Sequence, residues 1–188
     1  MLPDANERIL DIGTSDDTGV ESNMLEQLYP HPDKITCASL TDGRAILQKY
    51  KDVRHVKIEA GRPLPFDDLA FDIVYSNAVL EHAGAQDAQR RFIEELCRVG
   101  RRRFVVVPNR LFPIEHHTCL PLVHYLPKAW FRKLLRNTRF DVWSYEDNLN
   151  YISPANLRAM WPANASLRLV YSGIGFGIWK SNLVAYQK

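Results

Sequence analysis

Residues 8–19, reading RILDIGTSDDTG, constrain the fold of this chain more than any other stretch. An apolar run of Ile9, Leu10 and Ile12 is interrupted by Asp11, then breaks at Gly13 into small and acidic residues ending at Gly19. A buried strand that opens into such a loop, with a helix after it, presents backbone N–H groups to a ligand at the carboxyl edge of a parallel sheet. The rest of the chain has to supply that sheet.

It does so in an alternating rhythm. In residues 19–29, Met24, Leu25 and Leu28 fall at helical spacing with Ser22 as cap, and Pro30 and Pro32 end the run. Residues 34–40 (KITCASL) read as a second strand, and Asp42 is placed to cap a short helix carrying Ile46, Leu47 and Tyr50. Residues 55–60 form a third strand, closed by a turn over 61–68 that holds Pro63 and Pro65, and residues 71–77 (FDIVYSN) a fourth. Ala85, Ala88, Phe92, Ile93, Leu96 and Cys97 then share one helical stripe, and Gly100 sits where a left-handed C-terminal cap belongs. Residues 104–107 are apolar throughout, as in a strand buried on both faces, and the preceding Arg101, Arg102 and Arg103 read as its solvated end. Strands alternating with helices predict an α/β fold, a doubly wound and mostly parallel sheet with its strand-end loops along one edge.

Residues 110–150 break the rhythm. Their three prolines, three histidines and many aromatics suggest a cap inserted after strand five, within a single domain spanning 1–188. Inside it, 128–139 reads as a basic amphipathic helix, with Trp130, Phe131, Leu134 and Leu135 on one face. Two readings stay open: peripheral contact with a membrane through 128–139, or docking of that face onto the helices of the sheet. Ser153-Pro154 is a strong helix start, stopped before Pro162. Residues 167–171 and 183–186 are closing strands, and the glycine-rich link 173–182 lacks a helix-length pattern, so they are expected to run antiparallel.

Composition narrows the function. A net charge of +2 gives no reason to expect a nucleic-acid partner. Cys37, Cys97 and Cys119 are scattered, without CxxC spacing, which favours a reducing compartment over a disulfide framework. With no secretory signal pattern and no apolar run near the ~18 residues of a membrane span, a cytoplasmic location is expected.

The motifs together resemble the class I S-adenosylmethionine-dependent methyltransferases over nearly the whole chain. LDIGTSDDTG is similar to that family's first motif, FDIVYSNAVLEH to its fourth-strand motif, and LPFDDLAFD to the turn before it in small-molecule members. RVGRRRFVVVPNR, FPIEHHT and LPLVHYLP resemble a subgroup often seen beside cell-surface glycan genes. The resemblance implies a Rossmann-like sheet of about seven strands, S-adenosylmethionine as cofactor, and a small or lipid-linked acceptor such as a sugar or polyprenyl-type hydroxyl. It places Asp11, Gly13, Thr14, Ser15 and Asn77 around the cofactor's amino-acid tail, Asp42 at the ribose and Gly61 at the adenine. Ser39 and Ala60 stand where the family usually has carboxylates, and Ser15-Asp16-Asp17 replaces its later glycines. The alternative reading is therefore a catalytically idle module that keeps the fold for binding; nicotinamide chemistry is disfavoured because no G-x-G-x-x-G follows strand one.

A base assists if the acceptor is a hydroxyl. His82, after strand four, is the first choice and His117 in the insertion the second, with a plain backbone-bonded role open for His82. Glu81 would orient a donor or cap the next helix. Glu115, His116, His117 and His124 lack HExxH spacing and a cysteine pair, so no metal is expected from them.

Overall fold

The computed structural model describes residues 4–17, 19, 22–163 and 165–187. Seven strands form one sheet in the order β3-β2-β1-β4-β5-β7-β6: β1 Ile9–Ile12, β2 Ile35–Ser39, β3 Arg54–Lys57, β4 Phe71–Asn77, β5 Gly100–Pro108, β6 Arg168–Ser172 and β7 Asn182–Tyr186. The first five pair in parallel, and β7 enters antiparallel between β5 and β6. The doubly wound expectation holds, including the antiparallel close. β1 is buried at all four positions and lies at the centre between β2 and β4. The loop after it therefore opens at the middle of the carboxyl edge, where the strand order reverses and α/β sheets bind ligands.

The helices are α1 Met24–Leu28, α2 Arg44–Lys49, α3 Gln86–Val99, α4 Lys128–Leu135 and α5 Pro154–Met160. On one side of the sheet, Ile93, Leu96 and Val99 of α3 and Leu157 and Met160 of α5 join Leu10, Val74, Val105 and Leu183 in the main core. On the other, Ile46 of α2 meets Ile35, Cys37 and Val53, with Leu25 and Tyr50 against them.

Several local expectations are corrected. α1 is shorter than residues 19–29, of which Val20 and Glu21 lie outside the described residues, and Met24 and Leu28 are exposed while Glu26 is buried. Ser22 does not cap it; Asn23 holds that position, and the Ser22 hydroxyl donates to Asp17. Asp42 precedes the cap of α2, which is Gly43. The stripe of α3 is turned so that Gln89 is buried rather than Ala85. Gly100 is extended (φ −122°) and begins β5; a Cβ there would stand 2.3 Å from Val74 Cγ2, so close packing, not a left-handed cap, requires glycine. The arginine run lies within β5: Arg101 faces Asp72, Arg102 pairs with Glu7, and Arg103 is buried with its guanidinium on the Cys97 carbonyl.

The segment 110–150 forms its own small core of Phe131, Leu135 and Leu149, with Val123, Phe140, Trp143 and Tyr151 around it. α4 ends at Leu135, not 139, because Arg136 is extended and Asn137 turns left-handed (φ 59°). Its apolar face is split: Phe131 and Leu135 face this local core rather than the helices of the sheet, while Trp130 and Leu134 stay exposed. Among the described residues no helix is long and apolar enough to cross a membrane.

Candidate active site

The loop after β1 leaves the sheet where Gly13 N–H donates to the Ala38 carbonyl at 2.8 Å. Gly13 has φ 95°, and a Cβ on it would lie 2.1 Å from Val79 Cγ2, so the position needs glycine for two reasons. The residues that replace the later glycines of the motif build the turn with side chains instead. Asn23 Oδ1 accepts from Ser15 N–H at 2.9 Å and its amide donates to Ser15 O at 2.8 Å. The Ser15 hydroxyl accepts from Asp17 N–H, and Asp17 Oδ1 from Gly19 N–H. Those contacts, the Gly19 N–H first and the Ser22 hydroxyl next, lower the Asp17 carboxyl from its ordinary value.

This loop walls a cleft of ≈ 240 Å³ lined by Asp11, Gly13, Thr14, Ser15, Asn23, Met24, Tyr75 and Asn77. The cleft has an unusual floor. Asp11 is 6% exposed, and the equally buried Glu26 of α1 reaches it. Burial, then the Glu26 charge and its hydrogen bond, push the Asp11 carboxyl well above the usual range. Glu26 Oε1 accepts from the Cys37 thiol at 3.2 Å, while its Oε2 and the Thr14 hydroxyl are buried with no hydrogen-bond partner among the described residues. Burial, aided by both carboxylates, also raises the Tyr75 phenol to about 12. Two carboxyl groups so arranged hold a proton between them or await a cation.

The connection after β4 starts beside this cleft with Asn77 and Ala78 and continues through Val79 to the 3-10 turn Leu80–His82. Asn150, from the end of the insertion, fastens that turn: its N–H donates to Glu81 O, and its side-chain amide donates to Gly84 O. His82 and His117 are brought together, Nε2 to Nε2 at 3.3 Å with rings edge to face at 5.1 Å, and Trp143 lies against both. His82 Nδ1 donates to Asn148 O at 2.6 Å, and burial lowers the His82 pKa, so a neutral ring presents its Nε2 lone pair. His117 Nδ1 donates to Glu115 at 2.8 Å. Burial alone would raise the Glu115 carboxyl, but hydrogen bonds from His117 and Thr118 hold it well below the usual carboxylate range. Glu81 neither caps α3, whose cap is Ala85, nor reaches solvent; it is 1% exposed, and burial lifts it to about 7.

Asp42 and Gly61 do not line the cleft. Asp42 is exposed and paired with Arg44 at 2.7 Å, and Gly61 occupies an exposed left-handed turn. The Ser39 hydroxyl is engaged by Thr41 and His55, and Ala60 is exposed. His116 and His124 stay apart from the histidine pair, His124 Nε2 donating to the Arg110 carbonyl.

A family model for a methyltransferase domain matches residues 10–105, just over half of the chain. The chain belongs to this family. Its fold is shared by solved structures of low identity. One is a possible histamine N-methyltransferase from Thermotoga maritima (14% identity, TM-score 0.61, 100% of this chain and 83% of that one). Another is the N-methyltransferase NodS from Bradyrhizobium japonicum, solved with S-adenosyl-L-homocysteine (15%, 0.57, 96% and 76%). A third is YcgJ from Bacillus subtilis (20%, 0.59, 88% of this chain), of whose length this chain spans only 64%. No curated protein matches it.

Membership of this family implies S-adenosylmethionine as cofactor, and the residues fit it. The cofactor's ammonium suits the Asp11–Glu26 floor, and its carboxylate suits the N–H groups and the buried Thr14 hydroxyl of the loop. Sequence reasoning missed Glu26, Asn23, Trp143 and Asn150, and weighed Glu115 only beside His116, His117 and His124. The signal for Glu26 was an acid within a short, mostly apolar helix; the others gave none.

Proposed function

We propose that this methyltransferase carries a methyl group from S-adenosylmethionine to a hydroxyl of a small or lipid-linked acceptor, such as a sugar or polyprenyl-type alcohol. The observation that carries the reading is the buried Asp11–Glu26 pair at the floor of a loop-walled cleft, a site made for a cationic tail. Bound there, the cofactor supplies an electrophilic methyl whose C–S bond breaks as the new bond forms, the electron pair leaving on sulfur. The protein's part is alignment, which is worth up to ~7–11 kcal/mol when reacting atoms are well oriented. Asn77 and Ala78 join the cleft to the turn holding His82, so that the acceptor is held between the cofactor and the His82–His117 pair. The acceptor's proton leaves on that side.

A lipid-linked acceptor is favoured by α4, where Trp130 is 69% and Leu134 49% exposed one turn apart, beside Lys133. The second reading, an idle binding module, is favoured by the engaged Ser39 hydroxyl and the missing carboxylate at Ala60. One experiment separates them. Calorimetry should show S-adenosylmethionine binding that Gly13→Trp abolishes, and labelled methyl groups should enter an extract of sugars and polyprenols. Binding without transfer supports the idle module; absence of both overturns the methyltransferase reading.

A further inference from the structure

The histidine pair poses a problem that proton transfer alone does not solve. His82 Nδ1 lies 2.6 Å from a carbonyl, which only accepts, so this nitrogen carries the proton. His117 Nδ1 lies 2.8 Å from Glu115 Oε1 and donates to it. The two rings therefore turn their Nε2 atoms toward each other across 3.3 Å. Beside them, both carboxyl oxygens of Glu81 are buried without a hydrogen-bond partner among the described residues, Oε1 standing 3.8 Å from His82 Nε2. One ligand atom from each of Glu81, His82 and His117 falls within 4.8 Å of the other two. Two imidazole nitrogens and a buried carboxyl group converging on one point make a site that a cation would satisfy.

We propose that Glu81, His82 and His117 form a binding site for a divalent transition-metal cation of the zinc type. The spacing agrees, since two nitrogens each ~2.0–2.1 Å from a tetrahedral cation lie ~3.3 Å apart. The donor set agrees as well: imidazole nitrogens suit zinc and its neighbours in the first transition row, whereas calcium and magnesium sites are built of oxygen. Each histidine has its other nitrogen fixed, one by a backbone carbonyl and one by a carboxylate, as metal-bound histidines do. Trp143 covers both rings, 5.5 Å and 4.6 Å from their centroids, and limits water on that side. Chain order hid the site. The sequence expectation of no metal weighed His117 with His116 and His124, its neighbours along the chain, whereas the fold sets it against a turn 35 residues earlier.

Three protein ligands leave a fourth tetrahedral position for a substrate oxygen. That this oxygen belongs to the methyl acceptor rests on the function proposed above; the binding of the cation does not. A cation bound there would lower the pKa of a coordinated acceptor hydroxyl, whose proton would pass to solvent water while the imidazoles serve as ligands.

The test uses Co2+ as a spectroscopic stand-in, added to the full chain after chelator treatment. One equivalent should bind and give visible d–d absorption typical of a low-coordinate nitrogen and oxygen site, and Zn2+ should displace it. His117→Ala and Glu81→Gln should weaken Co2+ binding about 100-fold or more. Glu115→Gln, which touches no cation, should weaken it about 10–100-fold by loosening His117. S-adenosylmethionine binding to each metal-free variant, measured by calorimetry, reports whether it is folded and tests the cofactor site separately. Failure of wild type to bind Co2+, or binding unchanged in both His117→Ala and Glu81→Gln, would overturn the metal site while leaving the cofactor reading intact. Loss of cofactor binding with Co2+ uptake preserved would do the reverse.

Discussion

At the scale of single residues, the cleft floor is built against its own stability. Asp11 and Glu26 face each other out of water, and the raised Asp11 carboxyl binds a proton more tightly in the folded chain than in the unfolded one. Its contribution is therefore fully present below the unfolded value of ~3.9 and is lost as pH rises through the raised folded value. Asp11→Asn should melt higher than wild type at pH 7 by a few degrees, about 1 kcal/mol for a chain of this length, and the gap should close by pH 4. The same variant should lose most of its affinity for S-adenosylmethionine in calorimetry. Stability gained where binding is lost is the mark of a ligand site. Equal melting of the two proteins at both pH values would show that the pair is not under strain. Gly13 makes the complementary case: φ 95° and a Cβ 2.1 Å from Val79 mean that Gly13→Ala should destabilise the chain and displace the turn that carries His82.

At the scale of elements, junctions matter more than interiors. α3 ends and β5 begins at one glycine, and a methyl there meets Val74 in the main core. Gly100→Ala should cost about 1–3 kcal/mol by overpacking, read as a lower denaturation midpoint at unchanged slope. α5 starts with a complete capping box, Ser153 accepting from Asn156 N–H at 3.1 Å and Asn156 Oδ1 accepting from Ser153 N–H at 3.1 Å. Ser153→Ala should cost about 1 kcal/mol. α4 uses only half of its apolar face inside the insertion, and the other half is the surface expected to meet lipid. Sedimentation with anionic vesicles should carry wild type down at low salt and leave Trp130→Glu in solution; equal recovery of the two would remove the membrane contact.

At the scale of the whole molecule, the insertion is fastened to the sheet edge by Asn150. Its side chain accepts from Lys128 and Arg132 of α4 and donates to Gly84 O, while its N–H holds Glu81 O. Asn150→Ala should leave the sheet as protected as before and raise amide exchange across 110–150 and 80–84, since buried partners left unsatisfied cost about 1–3 kcal/mol. Uniform exchange changes across sheet and insertion would instead mean that the two unfold together.

How much of this the chain declared in advance follows from the range of each interaction. β1, β4 and the capped start of α5 were legible in local pattern, because a buried central strand is mostly apolar and a helix start must satisfy its own N–H groups. The antiparallel close was legible in one glycine-rich link that carries no helix-length pattern. The loop RILDIGTSDDTG was recognisable as a ligand turn, and its departures from the glycine pattern proved to be a turn held by Asn23 and Asp17. What lies under that turn was not legible. Glu26 opposing Asp11, and His117 opposing His82 with Glu81 at its side, are encounters between segments 15 to 36 residues apart. By itself the sequence determined a doubly wound sheet with a cofactor loop at its centre. Only the tertiary structure decided which charges that loop and the insertion bury together, because a carboxylate's partner depends on which side chains share its low-dielectric space, not on their order along the chain.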